Sequence, residues 1–333
     1  MDSWQGGLIR QWAEWRERWA LMDHALVFSG LCLLFVLLQL GAGWYWSYEP
    51  ELFAVESAEP APAVPGLLLT ETLARVSTTL LAKRGGYLRN DLLPPGLVLD
   101  NMPAWELGVL HQVRDMTRSL HRDMSLSRGQ FIEDGDLLEA EAAFNSNADA
   151  WAFPSAESEF RRGGRALAAY GRRLAGGKEA VFHPRGADLQ RWLGDAGANL
   201  GQLSARLNAA VPNHSVVISG GSAAAPALLH SQETSWWLVD DVFYEARGSA
   251  WALLHLLKAA EVDFAPELAR HQAQLSLRAA IHELEATQQA IWSPVILNGS
   301  GFGVFANHSL VMANYLNRAQ TDLADVQTLL QTR

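Results

Sequence analysis

The stretch VDDVFYEARGSAWALLHLLKAAEV, residues 239–262, gives the clearest indication of the fold. Most of its side chains are apolar, and no proline interrupts it over roughly six turns of a helix. A helix that is apolar around most of its circumference is buried on more than one side. The stretch therefore predicts a long helix in the interior of a helical domain.

Similar patterns, bounded by glycine, proline or a capping residue, occur on both sides of this stretch. They predict further helices over 70–84, 101–127, 134–144, 156–174, 188–210, 266–291 and 307–330, with Asn101 and Ser155 as N-caps of two of them. The fold class is therefore all-α, a multi-helix bundle. Residues 212–235, rich in Ser, Gly, Ala and Pro, are predicted to be a flexible linker between one helical half, 67–211, and a second, 236–333.

Residues 25–48 contain no Asp, Glu, Lys or Arg, and VFSGLCLLFVLLQLGAGWYW within them is long enough to cross about 30 Å of hydrocarbon as a helix. Three arginines precede this run, and no Lys or Arg follows it until Arg75. The positive-inside rule then predicts a single transmembrane helix with a cytoplasmic N-terminus and an exported remainder, which in a bacterium means the inner membrane and the periplasm. The alternative is a signal peptide cleaved near Gly41-Ala42-Gly43, but the long, charged segment before the run favours an uncleaved anchor.

Residues 1–24 contain a second membrane signal. Their large apolar side chains recur at steps of three and four, which places one stripe along a helix: Trp4, Leu8, Trp12, Trp15, Trp19 and Met22. A Trp-rich stripe with Arg nearby is typical of a helix in the cytoplasmic membrane interface, so the lipid bilayer is one predicted partner. The alternative is a stripe that packs on another protein.

Residues 49–66, with four prolines among Ala and Glu, are predicted to be an extended tether. The chain has a net charge of -10, and its first 24 residues hold three Arg against four acids, so the exported part carries -9. This acidity excludes a nucleic-acid partner. Cys32, inside the apolar run, is the sole cysteine, which rules out internal disulfides in the exported part.

A glycine-rich stretch, WSPVILNGSGFG at 292–303, precedes the last predicted helix. Backbone N–H groups before a helix start bind anions in some proteins, although no phosphate-loop lysine or dinucleotide fingerprint is present here. The competing interpretation is a tight connection between two helices. The candidate ligand residues are Asn298, Gly299, Ser300, Gly301, Gly303, Asn307 and His308.

A second candidate cluster lies on the first turns of the 239–262 helix. Asp241 and Glu245 are one turn apart, as a carboxylate pair for acid–base chemistry requires, and Arg247 follows them. Acids there also complement the helix dipole, and Arg247 is a candidate to pair with an acid on a neighbouring helix. The scattered histidines, among them His111 and His121 at predicted surface or boundary positions, indicate no metal site, and no cofactor is predicted. Arginines at 161–173 indicate a solvated basic face or a docking face for an acidic partner.

Four segments resemble a family of bacterial membrane proteins known only as a domain of unknown function: WYWSYEPELF, GGYLRNDLLPPGLVLDNMPAWELGVL, DDVFYEARGSAWALLHLLKAAEVDF and WSPVILNGSGFGVFANHSLVMANY. The resemblance covers essentially the whole chain. It implies a Gram-negative inner-membrane setting, and it implies no activity, cofactor or catalytic residue.

No catalytic motif, such as a G-x-S-x-G elbow, is present. The first hypothesis is therefore an envelope scaffold or adaptor with an unidentified protein partner. The alternatives are a cell-wall glycan enzyme that uses carboxylates such as Asp241 and Glu245, and a periplasmic ligand-sensing bundle.

Overall fold

The computed structural model of the chain describes residues 12, 16, 24–56, 64–126, 133–177, 180–209, 239–289 and 307–331. The chain divides into two compact units, Met1–Tyr48 and Glu49–Arg333. All regular elements of the described residues are helices, which confirms the all-α prediction.

The first unit contains helix α1, His24–Trp46. Its segment Leu26–Trp46 has a mean hydropathy of 2.2, and its large apolar side chains are exposed. Among the described residues this helix is long and apolar enough to cross a membrane, a test that a signal sequence near an N-terminus also passes. The predicted interfacial helix lies, apart from Trp12 and Arg16, outside the described residues.

The second unit contains nine described helices and two short turns, a 3₁₀ turn at Gly96–Val98 and a π turn at Leu120–Met124. The helices are α2 Leu67–Ala82, α3 Asn101–Ser119, α4 Gly135–Phe144, α5 Ala156–Ala175, α6 Gly186–Ala209, α7 Val239–Asp263, α8 Ala265–Arg270, α9 Gln274–Ala286 and α10 His308–Gln331. Helices from both predicted halves thus belong to one compact unit. The predicted linker at 212–235 lies outside the described residues.

Two local predictions were wrong. The helix predicted over 266–291 is divided into α8 and α9 at Gln272, whose φ of 54° lies in the left-handed region. Asp100, not Asn101, caps α3, because its side chain accepts a hydrogen bond from the Asn101 N–H. The predicted cap Ser155 is confirmed, since its hydroxyl accepts a hydrogen bond from the Ser158 N–H.

Helix α7 occupies the centre of the bundle, in contact with α2, α3, α6, α9 and α10. Its closest neighbour is α3. A Cβ atom on Gly108 would lie 2.0 Å from the Glu245 carbonyl oxygen, and one on Gly248 would lie 2.0 Å from that of Trp105. The two backbones therefore touch where the helices cross. The rings of the buried Trp105 and Trp251 pack against each other beside this crossing, with 5.3 Å between their centroids.

The C-terminal end of α7 fixes the start of α2. The Asp263 carboxylate is buried and accepts a hydrogen bond of 2.8 Å from the Leu69 N–H, in the first turn of α2. Burial raises the pKa of Asp263 to about 6, and its hydrogen bonds from backbone N–H groups oppose that rise. A side chain distant in sequence thus supplies the cap that Gly66 cannot.

Candidate functional site

The predicted carboxylate pair lies where α3, α6 and α7 converge. The nearly buried Glu245 carboxylate is 2.8 Å from Arg206 Nη1 and 3.8 Å from His111 Nδ1. Asp241 is half-buried, and burial together with the charges of Asp100 and Glu245 raises its pKa. The structure therefore places Asp241 and Glu245 in one charge cluster and adds two basic partners that the sequence did not associate with them.

A buried polar layer lies at the same three-helix junction. Gln112 of α3 donates hydrogen bonds to Asn199 of α6 at 3.1 Å and to Ser249 of α7 at 2.9 Å. The Ser249 hydroxyl donates to the same Asn199 oxygen at 2.9 Å. Because each residue belongs to a different helix, this layer fixes the relative register of the helices.

Arg247 does not join the Asp241–Glu245 cluster. Its Nε is 2.8 and 2.7 Å from the two carboxylate oxygens of Glu49, and its Nη1 donates to the carbonyls of Thr287 and Gln289 at 2.8 and 2.9 Å. The acid predicted on a neighbouring helix is thus on the segment that follows α1. Arg247 also satisfies carbonyls at the C-terminal end of α9, where a cation complements the helix dipole.

The segment 49–56 is packed on α7 rather than free of the domain. The Phe53 ring stacks on the His255 ring, with 3.8 Å between the ring centroids. The Arg75 guanidinium also lies over the Phe53 ring, 4.0 Å from its centroid. The Phe53 N–H donates to His255 Nε2 at 3.1 Å, and His255 Nδ1 is 2.7 Å from the Trp251 carbonyl oxygen. We call residues 49–56 the docked connector. Of the rest of the predicted tether, residues 57–63 lie outside the described residues, and residues 64–66 lead directly into α2.

His255, on which the docked connector packs, should make the stability of the domain depend on pH. Burial lowers the pKa of His255 to about 4, and the positive charges of Lys258 and Arg75 add to this effect. The folded state then binds fewer protons than the unfolded state, whose His pKa is about 6.5, so stability is lost as pH falls from about 6.5 to 4. Asp263 has the opposite effect in the same window, because its raised pKa of about 6 favours the protonated folded state.

We therefore expect the contributions of these two groups to the free energy of unfolding largely to offset each other between about pH 7 and pH 5. Asp263→Asn removes the compensating gain of about 1 kcal/mol, so this variant should lose stability more steeply on acidification. His255→Gln removes the loss of about 2 kcal/mol and should become more stable relative to its own value at neutral pH. Urea unfolding at both pH values measures these slopes. Equal slopes in all three proteins would contradict this assignment.

Of the glycine-rich candidate site, only Asn307 and His308 are described, and Asn298, Gly299, Ser300, Gly301 and Gly303 lie outside the described residues. Asn307 is nearly buried and caps α10, since its side-chain oxygen accepts a hydrogen bond of 2.8 Å from the Leu310 N–H. His308 is half-buried as the first residue of α10. The ligand role of this loop stays a prediction.

The structure contradicts the predicted surface or boundary position of His121. His121 is buried in the π turn, and its Nδ1 lies 2.6 Å from a Glu141 carboxylate oxygen that Arg122 also contacts. Burial opposes ionisation of Glu141, but hydrogen bonds from His121 and Arg122 outweigh it and lower the pKa of Glu141. No group of three or more metal-ligating side chains occurs in the part of the chain that the structure describes.

The family model for uncharacterized proteins conserved in bacteria (DUF2333) matches residues 19–333. The chain belongs to this bacterial family. No curated protein and no solved structure matches the chain. Family membership confirms the resemblance of the four sequence segments.

Most partners of the candidate residues were missed by sequence reasoning. Arg206, His111, Asn199 and Glu49 lie tens to hundreds of residues from the side chains that they contact. Helical periodicity shows that Gln112 and Ser249 occupy apolar faces, and a polar residue on such a face was the available signal for the buried layer.

Proposed function

We propose that this protein is a single-pass protein of the bacterial inner membrane, with a cytoplasmic N-terminus and a periplasmic helical domain that acts as a scaffold or adaptor for another envelope protein. One observation carries the proposal: a helix capable of spanning a membrane is followed by a helical domain whose candidate catalytic charges are engaged within the fold. The charge asymmetry around the apolar run supports the orientation.

This geometry favours the scaffold over the glycan enzyme. A glycosidase needs two carboxyl groups that face the scissile bond from opposite sides. Glu245 instead faces Arg206 and His111, and Asp241 lies one helical turn away on the same helix. The raised pKa of Asp241 is explained by burial and neighbouring acids without any substrate.

The orientation predicts the outcome of a fusion experiment. A reporter active only in the periplasm should give a signal when fused after Arg333 and none when fused near Trp4. The reverse pattern would refute the orientation, and a mature N-terminus near Trp44 would show that the apolar run is cleaved. Immunoblotting of both fusions controls for expression.

The scaffold role itself is tested by proximity labelling from the C-terminus. We expect the same envelope protein to be labelled repeatedly by the wild type and not by a variant that retains α1 but carries an unrelated periplasmic domain. Equal labelling of all periplasmic proteins by both proteins would contradict an adaptor role.

A further inference from the structure

Helices α2 and α5 enclose an open groove. Gly164 faces Ser77 and Gly171 faces Thr70, so the two helices are antiparallel. The groove has a volume of ≈ 600 Å³, and apolar or small side chains contribute to its lining, among them Leu81, Phe160 and Ala168. Gly164 lacks the side chain that would fill the space between the helices. The result is a concave, largely apolar surface on the exterior of the domain.

One rim of this groove is basic. Arg161 and Arg165 line it, and Arg172 lies further along the same exposed face of α5. Adjacent arginines are neutralised, because Arg162 pairs with Glu159 and Arg173 with Asp134 and Asp136. No ion pair joins Arg161, Arg165 or Arg172 to an acid in the described parts of the chain.

These unpaired charges are costly to the isolated helix. Arg161 and Arg165 are four residues apart, and like charges at that spacing destabilise a helix by about 0.2–0.5 kcal/mol. The chain as a whole has more Asp and Glu (36) than Lys and Arg (26), so acids that could pair with these arginines are abundant elsewhere in it. An anionic partner would supply counter-charges for these arginines.

We propose that the α2–α5 groove binds an acidic, amphipathic helical segment of a partner protein. Arg161 and Arg172 are separated by about 16 Å along α5, at 1.5 Å per residue, which matches about three turns of a docked helix. The apolar stripe of that helix covers the groove floor, and its Asp or Glu side chains pair with the arginines. This proposal rests on the scaffold function and specifies the chemistry of its partner.

The shape and charge of the domain favour a peptide over a lipid surface. The floor residues Gly164 and Ala168 lie between two helices, where a protruding helix can reach them and a planar bilayer cannot. The acidic remainder of the domain would also be repelled by anionic headgroups. An acidic helix reaches the arginines without bringing an extended negative surface close to the domain.

The test uses the full chain in nanodiscs of zwitterionic lipid. The probe is a fluorescent amphipathic peptide of about 18 residues with a Leu stripe and flanking Glu, beside a control peptide with Gln in place of every Glu. Anisotropy titration should show binding of the Glu peptide that weakens with added salt. Arg161→Glu/Arg165→Glu and, separately, Ala168→Trp should each weaken it about tenfold or more. Arg270→Glu reverses the charge of an exposed arginine on α8, away from the groove, that pairs with Glu267; this control variant should change affinity less than about twofold.

Several outcomes overturn the proposal. They are equal binding of the Glu and Gln peptides, equal weakening by Arg270→Glu, and binding to anionic vesicles but not to the peptide. Self-association of the chain that Arg161→Glu/Arg165→Glu abolishes would instead identify a second copy as the occupant. Circular dichroism melting of every variant excludes unfolding as the cause. The binding assay does not depend on topology, so its failure is distinct from a failed fusion experiment.

Discussion

Replacing Gly248 with alanine is expected to lower the free energy of unfolding by about 3 kcal/mol, because the new methyl group would overlap the backbone of α3. The distance of 2.0 Å from the built Cβ to the Trp105 carbonyl oxygen cannot be relieved by a side-chain rotation. The helices must separate, and the contact between Trp105 and Trp251 would loosen with them. Urea unfolding followed by circular dichroism measures the loss.

Gly108→Ala should have a similar effect, since its Cβ would meet the Glu245 carbonyl oxygen at 2.0 Å. Gly197 in α6 provides the matched control. It is also a buried helical glycine, but a Cβ there would make ordinary contacts at 3.9 and 4.0 Å. Gly197→Ala should therefore be neutral or stabilising by up to about 1 kcal/mol. A Gly248→Ala protein as stable as Gly197→Ala would show that the helices do not cross at this distance.

Replacing Lys83 with methionine is expected to cost about 3–5 kcal/mol, the usual effect of breaking a buried ion pair from one side. Lys83 Nζ lies 2.6 Å from Glu106 Oε1, and both side chains are almost wholly buried. Burial lowers the pKa of Lys83 and raises that of Glu106, while their mutual attraction opposes both changes. Without Lys83, the hydrogen bonds that the Glu106 carboxylate keeps within the described residues come from the N–H groups of Leu88 and Arg89.

A double-mutant cycle separates this effect from lost packing. Lys83→Met/Glu106→Gln removes both charges and should be more stable than Lys83→Met alone, because no unpaired buried charge remains. The exposed pair Arg278–Glu261 is the control, and Arg278→Met should cost less than about 1 kcal/mol. If the double variant were the less stable of the two, the charge would not be the source of the loss.

The helices were predictable because their periodicity is local. The 239–262 stretch indicated α7 to within one residue, and Ser155 marked the start of α5. The break between α8 and α9 was missed because Gln272 adopts a left-handed φ without the glycine or asparagine that usually indicates one. The burial of His121 was missed because a π turn alters the angular spacing along the helix.

The contacts of the candidate sites were less predictable, because they join residues far apart in sequence. Asp241 and Glu245 were placed correctly on one helix turn, but Arg206 and His111 come from two other helices. A carboxylate pair in sequence looks the same whether its partners are basic side chains or a substrate. Only the packing of α3 and α6 against α7 distinguishes these cases.

The docked connector has a mechanical consequence. A pull on the chain at Tyr48 is transmitted first to Glu49, whose carboxylate is joined to Arg247. Arg247 belongs to α7 and is hydrogen-bonded to the carbonyls of Thr287 and Gln289, just after α9. The force is therefore shared between α7 and the end of α9 before it acts on the Phe53–His255 stack. Because Glu49 is the contact nearest to Tyr48 along the chain, we expect the Glu49–Arg247 ion pair to bear the load first. We therefore expect tension applied at Tyr48 to reach Gln289, which lies three residues before the glycine-rich stretch 292–303.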